Sequence, residues 1–259
     1  MIHSWSYEPS ISSEGNPIKE TSDHKIKKVK DEFCHVVSMA KGYIRYCRNI
    51  GLTHIPVPYD SSLFSWLFKP DKASLEQLAR YLGRCQSCPL AGNRQAAVPG
   101  EGHLSPRLVL IGQSPGKEES EKGKPFLGEA GDLLNQILSS VQLSREEVYL
   151  TYALKCPFPP TGAFDYQTIR PCRELLFREL RLLRPDLIAT LGPFATQIVL
   201  GKKIPLAEVR GKIITLKVGE MSLKVVPTYD PDYLIQYPDG KPAAWLDIQL
   251  IRKEYDRKR

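Results

Sequence analysis

The sequence of 259 residues is poor in the features that mark exported, membrane-bound or disulfide-built proteins. Its six cysteines are too sparse for the cross-linked scaffold of a small secreted domain. The longest apolar runs, at 107–112 and 187–191, fall far short of the roughly 20 residues that span a bilayer, so no membrane partner is expected. The opening residues Met1-Ile2-His3-Ser4-Trp5 lack the basic-then-apolar layout of a secretory signal. Reduced thiols and a cytoplasmic location are therefore expected. Internal repeats and low-complexity tracts are missing as well.

What remains is ordinary globular material, 42% hydrophobic and 25% charged. The length suits one large domain, or one of about 180–200 residues with an appendage. A net charge of +7 is compatible with a polyanionic partner but does not decide for one. Residues 1–24 are polar and read as a flexible tail. Residues 25–73 read as a helical extension: Ile26, Val29, Phe33, Val36, Val37, Ala40, Ile44 and Cys47 recur at helical spacing from Lys25 to Ile50. Lys25, Lys27, Lys28 and Lys30 form its other, solvated face, and the helix is a candidate dock for a protein partner. Cys34 and Cys47 read as small packing residues within it. Pro56, Pro58 and Pro70 end the pattern.

From residue 74 the character changes. Ser74 followed by Gln77 resembles a capping box that opens a helix through Leu75, Leu78, Ala79 and Leu82. Beyond it, strands expected at Leu108–Ile111, Val148–Ala153, Leu187–Leu191 and Lys224–Pro227 alternate with helices at Glu129–Val141, Pro171–Arg184, Pro193–Leu200 and Ala243–Tyr255. A further strand is expected at Ile213–Val218. Such alternation implies a largely parallel sheet covered on both faces, with sites at the carboxyl ends of the strands.

Cys85-Gln86-Ser87-Cys88 forms a close pair, and Cys156 and Cys172 follow as distant singles. A close pair alone would suit a redox dithiol or half of a zinc site. Four thiolates gathered in this way suit zinc or a [4Fe–4S] cluster, and the spacing leaves both open.

The ordered motifs from about Leu75 to the C-terminus resemble those of the iron–sulfur, family 4 type of uracil-DNA glycosylase. They are Cys85, Cys88 and Leu90; Arg94; Val98, Gly100 and Gly102; Gly112-Gln113-Ser114-Pro115-Gly116; Gly123, Pro125, Phe126, Gly128 and Gly131; Lys155-Cys156; Cys172; Pro185, Leu191-Gly192 and Ala195; Arg210-Gly211; and Thr228-Tyr229, Pro231 and Tyr233-Leu234. The resemblance implies a three-layer α/β/α fold with a four-stranded, largely parallel central sheet over residues 74–259. It also implies a [4Fe–4S] cluster on Cys85, Cys88, Cys156 and Cys172, and DNA, single- or double-stranded, as partner of a monomer that flips a base out of the stack.

Base excision needs a stacking surface, polar groups matched to the base edge, a donor for the departing base and a positioned water. The resemblance gives the stacking role to Phe126 and places Gly112, Gly116, Tyr152 and Arg210 around the substrate. Three polar positions depart from the family pattern. Gln113 replaces its first-motif Glu, Tyr152 its base-reading Asn and Asp230 its leaving-group His. Gln113, Ser114 and Asp230 are the candidate catalytic residues. An ionised Asp230 would stabilise a cationic sugar or orient a water; a protonated one would donate. A carboxylate also suits an exocyclic amine such as cytosine N4. The expected substrate is thus a modified or non-uracil pyrimidine, the alternative being a glycosylase-like module that binds DNA or a partner without cutting.

Overall fold

The computed structural model describes residues 27, 29–35, 38, 72–158, 166–218 and 221–257. The chain divides into two compact units, Met1–Tyr59 and Asp60–Arg259. In the first unit the described residues, all between 27 and 38, are helical. Cys34 among them is exposed rather than packed, because every described residue of that stretch faces solvent. Cys47 lies outside the described residues.

The second unit is built on a six-stranded sheet of order β1-β3-β2-β4-β6-β5. Its strands are β1 (Glu101–Gly102), β2 (Leu108–Gly112), β3 (Tyr149–Tyr152), β4 (Leu187–Leu191), β5 (Ile214–Val218) and β6 (Met221–Thr228). The central four, β3-β2-β4-β6, are parallel, while β1 and β5 close the edges antiparallel. The expected four-stranded parallel sheet is therefore the centre of a mixed one. Every residue of β2, β3 and β4 is buried, as in a sheet covered on both sides, while β5 alternates as an edge does.

The pleat sorts the core into two layers. Val109, Ile111, Ile188 and Val225 point to one face, against α1 (Lys72–Arg84), α4 (Tyr166–Leu183) and α5 (Gly192–Leu200) through Leu78, Leu176 and Ile198. Leu108, Leu110, Leu187 and Val226 point to the other, against α3 (Gly128–Ser140) and α8 (Lys241–Asp256) through Leu134, Leu138 and Ile251. Three short helices, α2 (Lys117–Lys122), α6 (Leu206–Val209) and α7 (Pro231–Gln236), complete the unit.

Two helix starts differ from expectation. Helix α1 begins at Lys72, so Ser74 lies inside its first turn and is not the cap of a box with Gln77. Helix α4 begins at Tyr166 and carries Pro171, the expected start, in its interior. Among the described residues no helix is long and apolar enough to cross a membrane.

Candidate active site at the carboxyl edge of the sheet

The carboxyl ends of the parallel strands collect most of the candidate residues. β2 and β3 run in a register that sets Gly112 opposite Tyr152. Beyond the strands, Ala153 N–H donates to Gly112 O at 2.8 Å and Leu154 N–H to Gln113 O at 2.9 Å, which pins the Gly112–Gly116 loop. Gln113 and Ser114 are half-buried on that loop. Gly112 leaves the space of a side chain to its neighbours: a Cβ there would lie 2.8 Å from Phe126 Cζ and 2.9 Å from Tyr152 Cδ1.

The two rings meet in that space. Phe126 and Tyr152 are stacked with centroids 4.6 Å apart and planes inclined by 28°. Both are buried. Phe126 adopts φ 54°, a left-handed conformation that a residue with a Cβ adopts at a cost of about 1–2 kcal/mol. Its neighbours impose it. Phe126 N–H donates to Tyr152 Oη at 2.9 Å, and Arg145 donates to Phe126 O at 3.1 Å and to Pro125 O at 2.8 Å.

Glu119 ties this loop to the first motif. One of its oxygens accepts from Gly116 N–H at 3.0 Å; the other accepts from Leu127 N–H at 3.1 Å and, at 3.4 Å, from Tyr152 Oη. Burial, then the Glu119 charge, hold the Tyr152 phenol protonated well above its usual range. Tyr152 thus lies against Phe126, covering an aromatic face that the sequence had assigned to a base.

Asp230 caps α7, its Oδ1 accepting from Asp232 N–H at 2.9 Å. Across from it Gly192 holds φ 85°, and a Cβ there would come within 3.1 Å of Asp230 Cβ. Burial pushes the Asp230 carboxyl up to about 7; the Asp232 N–H works against this, and the Asp232 charge adds to it. The Asp230 and Asp232 charges raise the Tyr152 phenol further, and α7 packs against α3, the helix that follows Phe126.

Arg210 is engaged elsewhere than with an incoming phosphate. It donates to Asp247 Oδ2 at 2.8 Å and to Ala243 O, and its guanidinium lies 4.8 Å over the Tyr229 ring. Asp247 also accepts from Thr228 Oγ1 at 2.8 Å, so the pair joins β6, α8 and the Arg210–Gly211 turn.

On the opposite face of the sheet, Cys85, Cys88, Cys156 and Cys172 line one small pocket together with Arg94 and Lys155. Among the described residues no group of three or more His, Cys, Asp or Glu side chains is arranged as metal ligands. The donor set of the pocket is nevertheless all sulfur, and two N–H donors are aimed at it. Arg94 Nη1 donates to Cys156 Sγ at 3.2 Å and Lys155 N–H to Cys172 Sγ at 3.2 Å. Burial outweighs these donors, raising the Cys156 thiol and pushing that of Cys172 up to about 11. These residues fit a group that takes four thiolates, zinc or an iron–sulfur cluster.

Beside the pocket sits an ion pair that sequence reasoning missed. Lys155 Nζ and Glu179 Oε2 are 2.6 Å apart, each side chain 1% exposed. Glu179 also accepts from Tyr149 Oη at 3.0 Å, Thr151 Oγ1 at 2.9 Å and Gly100 N–H at 3.3 Å. A glutamate amid the apolar residues of α4 was the available signal, since a carboxylate on a buried face requires a partner. Glu119 was signalled by its place three residues after Gly116, the spacing at which a Glu accepts from a helix cap.

A largely parallel α/β sheet with its polar loops, aromatic pair and half-buried carboxyl at the carboxyl edge defines the class of protein: a doubly covered α/β enzyme fold. The comparisons make this particular. The uracil DNA glycosylase superfamily is matched over residues 99–249, and the chain belongs to that superfamily. It is 36% identical over 163 residues to a type-4 uracil-DNA glycosylase of Thermotoga maritima, covering 62% of this chain and 83% of the relative. It is 33% identical over 182 residues to that of Archaeoglobus fulgidus, covering 69% and 92%. A DNA polymerase of Bacillus phage SP01 is 25% identical over 155 residues, 60% of this chain but 16% of the polymerase.

Proposed function

We infer that this chain is a DNA glycosylase that flips a pyrimidine other than plain uracil and hydrolyses its N-glycosidic bond. The observation that carries the reading is the Asp230 carboxyl at the carboxyl edge of the sheet, displaced to about 7 by burial. At neutral pH such a group is shared between two useful forms. Protonated, it donates to the departing base; ionised, it stabilises the cationic sugar or orients the attacking water. Water adds its hydroxyl to the sugar carbon and its proton replaces the one given to the base. Gln113 and Ser114 stand on the adjoining loop as further polar contacts for base or water.

Tyr152 supplies the selectivity in this reading. A base that stacks on the face covered by Tyr152 must displace its ring and break the Phe126 N–H bond, so only a base with compensating contacts enters. An exocyclic amine facing Asp230 is such a contact. Type-4 uracil-DNA glycosylases among the relatives support DNA as the partner. The four cysteines are proposed to hold a [4Fe–4S] cluster with a structural role. We further place the protein in the cytoplasm as a monomer, its N-terminal helix available to a protein partner.

The Tyr152–Phe126 stack also favours a second reading, a DNA-binding module that excises nothing. Mass spectrometry of bases released from DNAs carrying uracil, cytosine and modified pyrimidines separates the two. Release of a non-uracil base, abolished by Asp230→Asn, supports the enzyme; no release from any DNA supports the module. Uracil release that Asp230→Asn leaves unchanged would refute the roles given to both Asp230 and Tyr152.

A further inference from the structure

Arg94 stands among the ordered motifs of the chain, yet none of the roles that base excision requires falls to it. It follows the short 3-10 helix Pro89–Asn93, which leads away from Cys88, and its side chain is half-buried. The guanidinium lies in the wall of the four-cysteine pocket. Its Nη1 donates to Cys156 Sγ at 3.2 Å. Its Nη2 donates to Cys85 O at 2.6 Å and, more distantly, to Gly83 O at 3.5 Å. One planar group thus joins the end of α1, the close cysteine pair and the backbone that continues β3.

The reach of Arg94 is set by its own backbone. Further along, Val98 N–H donates at 2.8 Å to the carbonyl of Lys155, the residue before Cys156. Ser120 Oγ of α2 accepts from Gln95 N–H at 3.3 Å and Ala96 N–H at 3.4 Å, and donates to Ala96 O at 3.0 Å. The two sides of the pocket differ. Cys156 and Cys172 are buried, whereas Cys85 and Cys88 are half-buried and Gln86 and Ser87 between them are exposed. Arg94 crosses from the exposed side to the buried one.

We propose that Arg94 is the positioning residue of the four-cysteine pocket, clamping the exposed cysteine pair to Cys156 and setting a positive charge against a ligand sulfur. The proposal rests on the cluster reading above and adds which residue governs retention and potential of the group. A planar fork whose ends bond different segments fixes their separation, and a lysine, a single point donor, cannot hold both. Outer partners of metal ligands carry about 10- to 100-fold in affinity. Donors and positive charge at a ligating sulfur favour the more negative, reduced state of an iron–sulfur cluster. A phosphate contact is the rival role for such a cation, but both terminal nitrogens are already engaged within the protein.

The experiment uses the full chain purified anaerobically with its cluster. It follows loss of visible absorption under a chelator and measures the one-electron reduction potential, with circular dichroism to verify the fold. Arg94→Gln should lose its colour about 10 to 100 times faster than wild type. Its potential should move negative by about 59 mV, the equivalent of an about tenfold weaker preference for the reduced form. Arg94→Lys should return the potential toward wild type while keeping the fast loss. Arg252→Gln removes a guanidinium that caps Val141 O and Gln142 O from α8, across the sheet, and should change neither. A wild-type loss rate in Arg94→Gln would overturn the proposal. Faster loss at an unchanged potential would overturn it too, since a merely structural tie behaves in that way. Wild type carrying zinc in place of iron and sulfide would overturn the cluster reading alone; zinc release to the chelator would then decide the clamp by the same fold-change.

Discussion

Removing the Tyr152 hydroxyl, and then the whole ring, tests the stack that covers Phe126. Tyr152→Phe keeps the stack on Phe126 but deprives the buried Phe126 N–H of its acceptor at 2.9 Å. A buried donor left unpaired costs about 1–3 kcal/mol. The contact with Glu119 is longer, at 3.4 Å, and that oxygen keeps its bond from Leu127, so it adds little. A loss of about 2 kcal/mol is expected, or about 4–8 °C in melting temperature for a domain of this size. Tyr152→Ala also removes a ring that is 5% exposed, which for a large buried side chain brings the loss to about 3–5 kcal/mol. Tyr152→Asn vacates the same slot above Gly112 and supplies a carboxamide. Free uracil at ten times its dissociation constant should then raise that variant's stability by about 1.4 kcal/mol and leave wild type unmoved. Thermal melts of the protein, with and without uracil, read all three variants. If Tyr152→Phe and Tyr152→Ala both melt within a degree of wild type, the ring does not fill the pocket and the reasoning fails.

Other outcomes follow from the same geometry. The native state holds the Asp230 proton more tightly than the unfolded chain, so stability attributable to it is present at low pH and is lost as pH rises from about 4 to 7. That displacement is worth about 4 kcal/mol in full, and about 2 kcal/mol once the residue's partial solvent contact is allowed for. Asp230→Asn keeps the helix cap and should flatten the pH–stability curve across that window, becoming the more stable protein above pH 7. Glu179→Ala leaves the Lys155 ammonium buried without its carboxylate and should cost about 3–5 kcal/mol, read by urea unfolding; Glu179→Gln should cost less. Purified protein should carry iron and sulfide with broad absorption near 400 nm, and Cys156→Ser should lose the colour. Zinc in place of iron by metal analysis would refute the cluster assignment.

Much of the architecture was legible because it is local. Runs such as Leu187–Leu191 declare central parallel strands, and the motif order places the loops. Less legible was what depends on register. Phe126 and Tyr152 are 26 residues apart, and their stacking follows from Gly112 standing opposite Tyr152. A side chain's identity says nothing of which neighbour it will lie on. Arg210 shows the same limit. A basic residue beside a glycine reads as a phosphate contact, but the buried Asp247 that claims it lies 37 residues away. Pro171 and Ser74 were read as helix boundaries from composition, and in both cases the helix begins before them.

Consecutive residues of β3 serve opposite faces of the sheet. Thr151 joins the network of Glu179 and Lys155 beside the sulfur pocket, while Tyr152 lies against Phe126 on the other side. The backbone that continues from them supplies Lys155 and Cys156. One short strand is thus the common wall of two compartments, and it cannot loosen on one side alone.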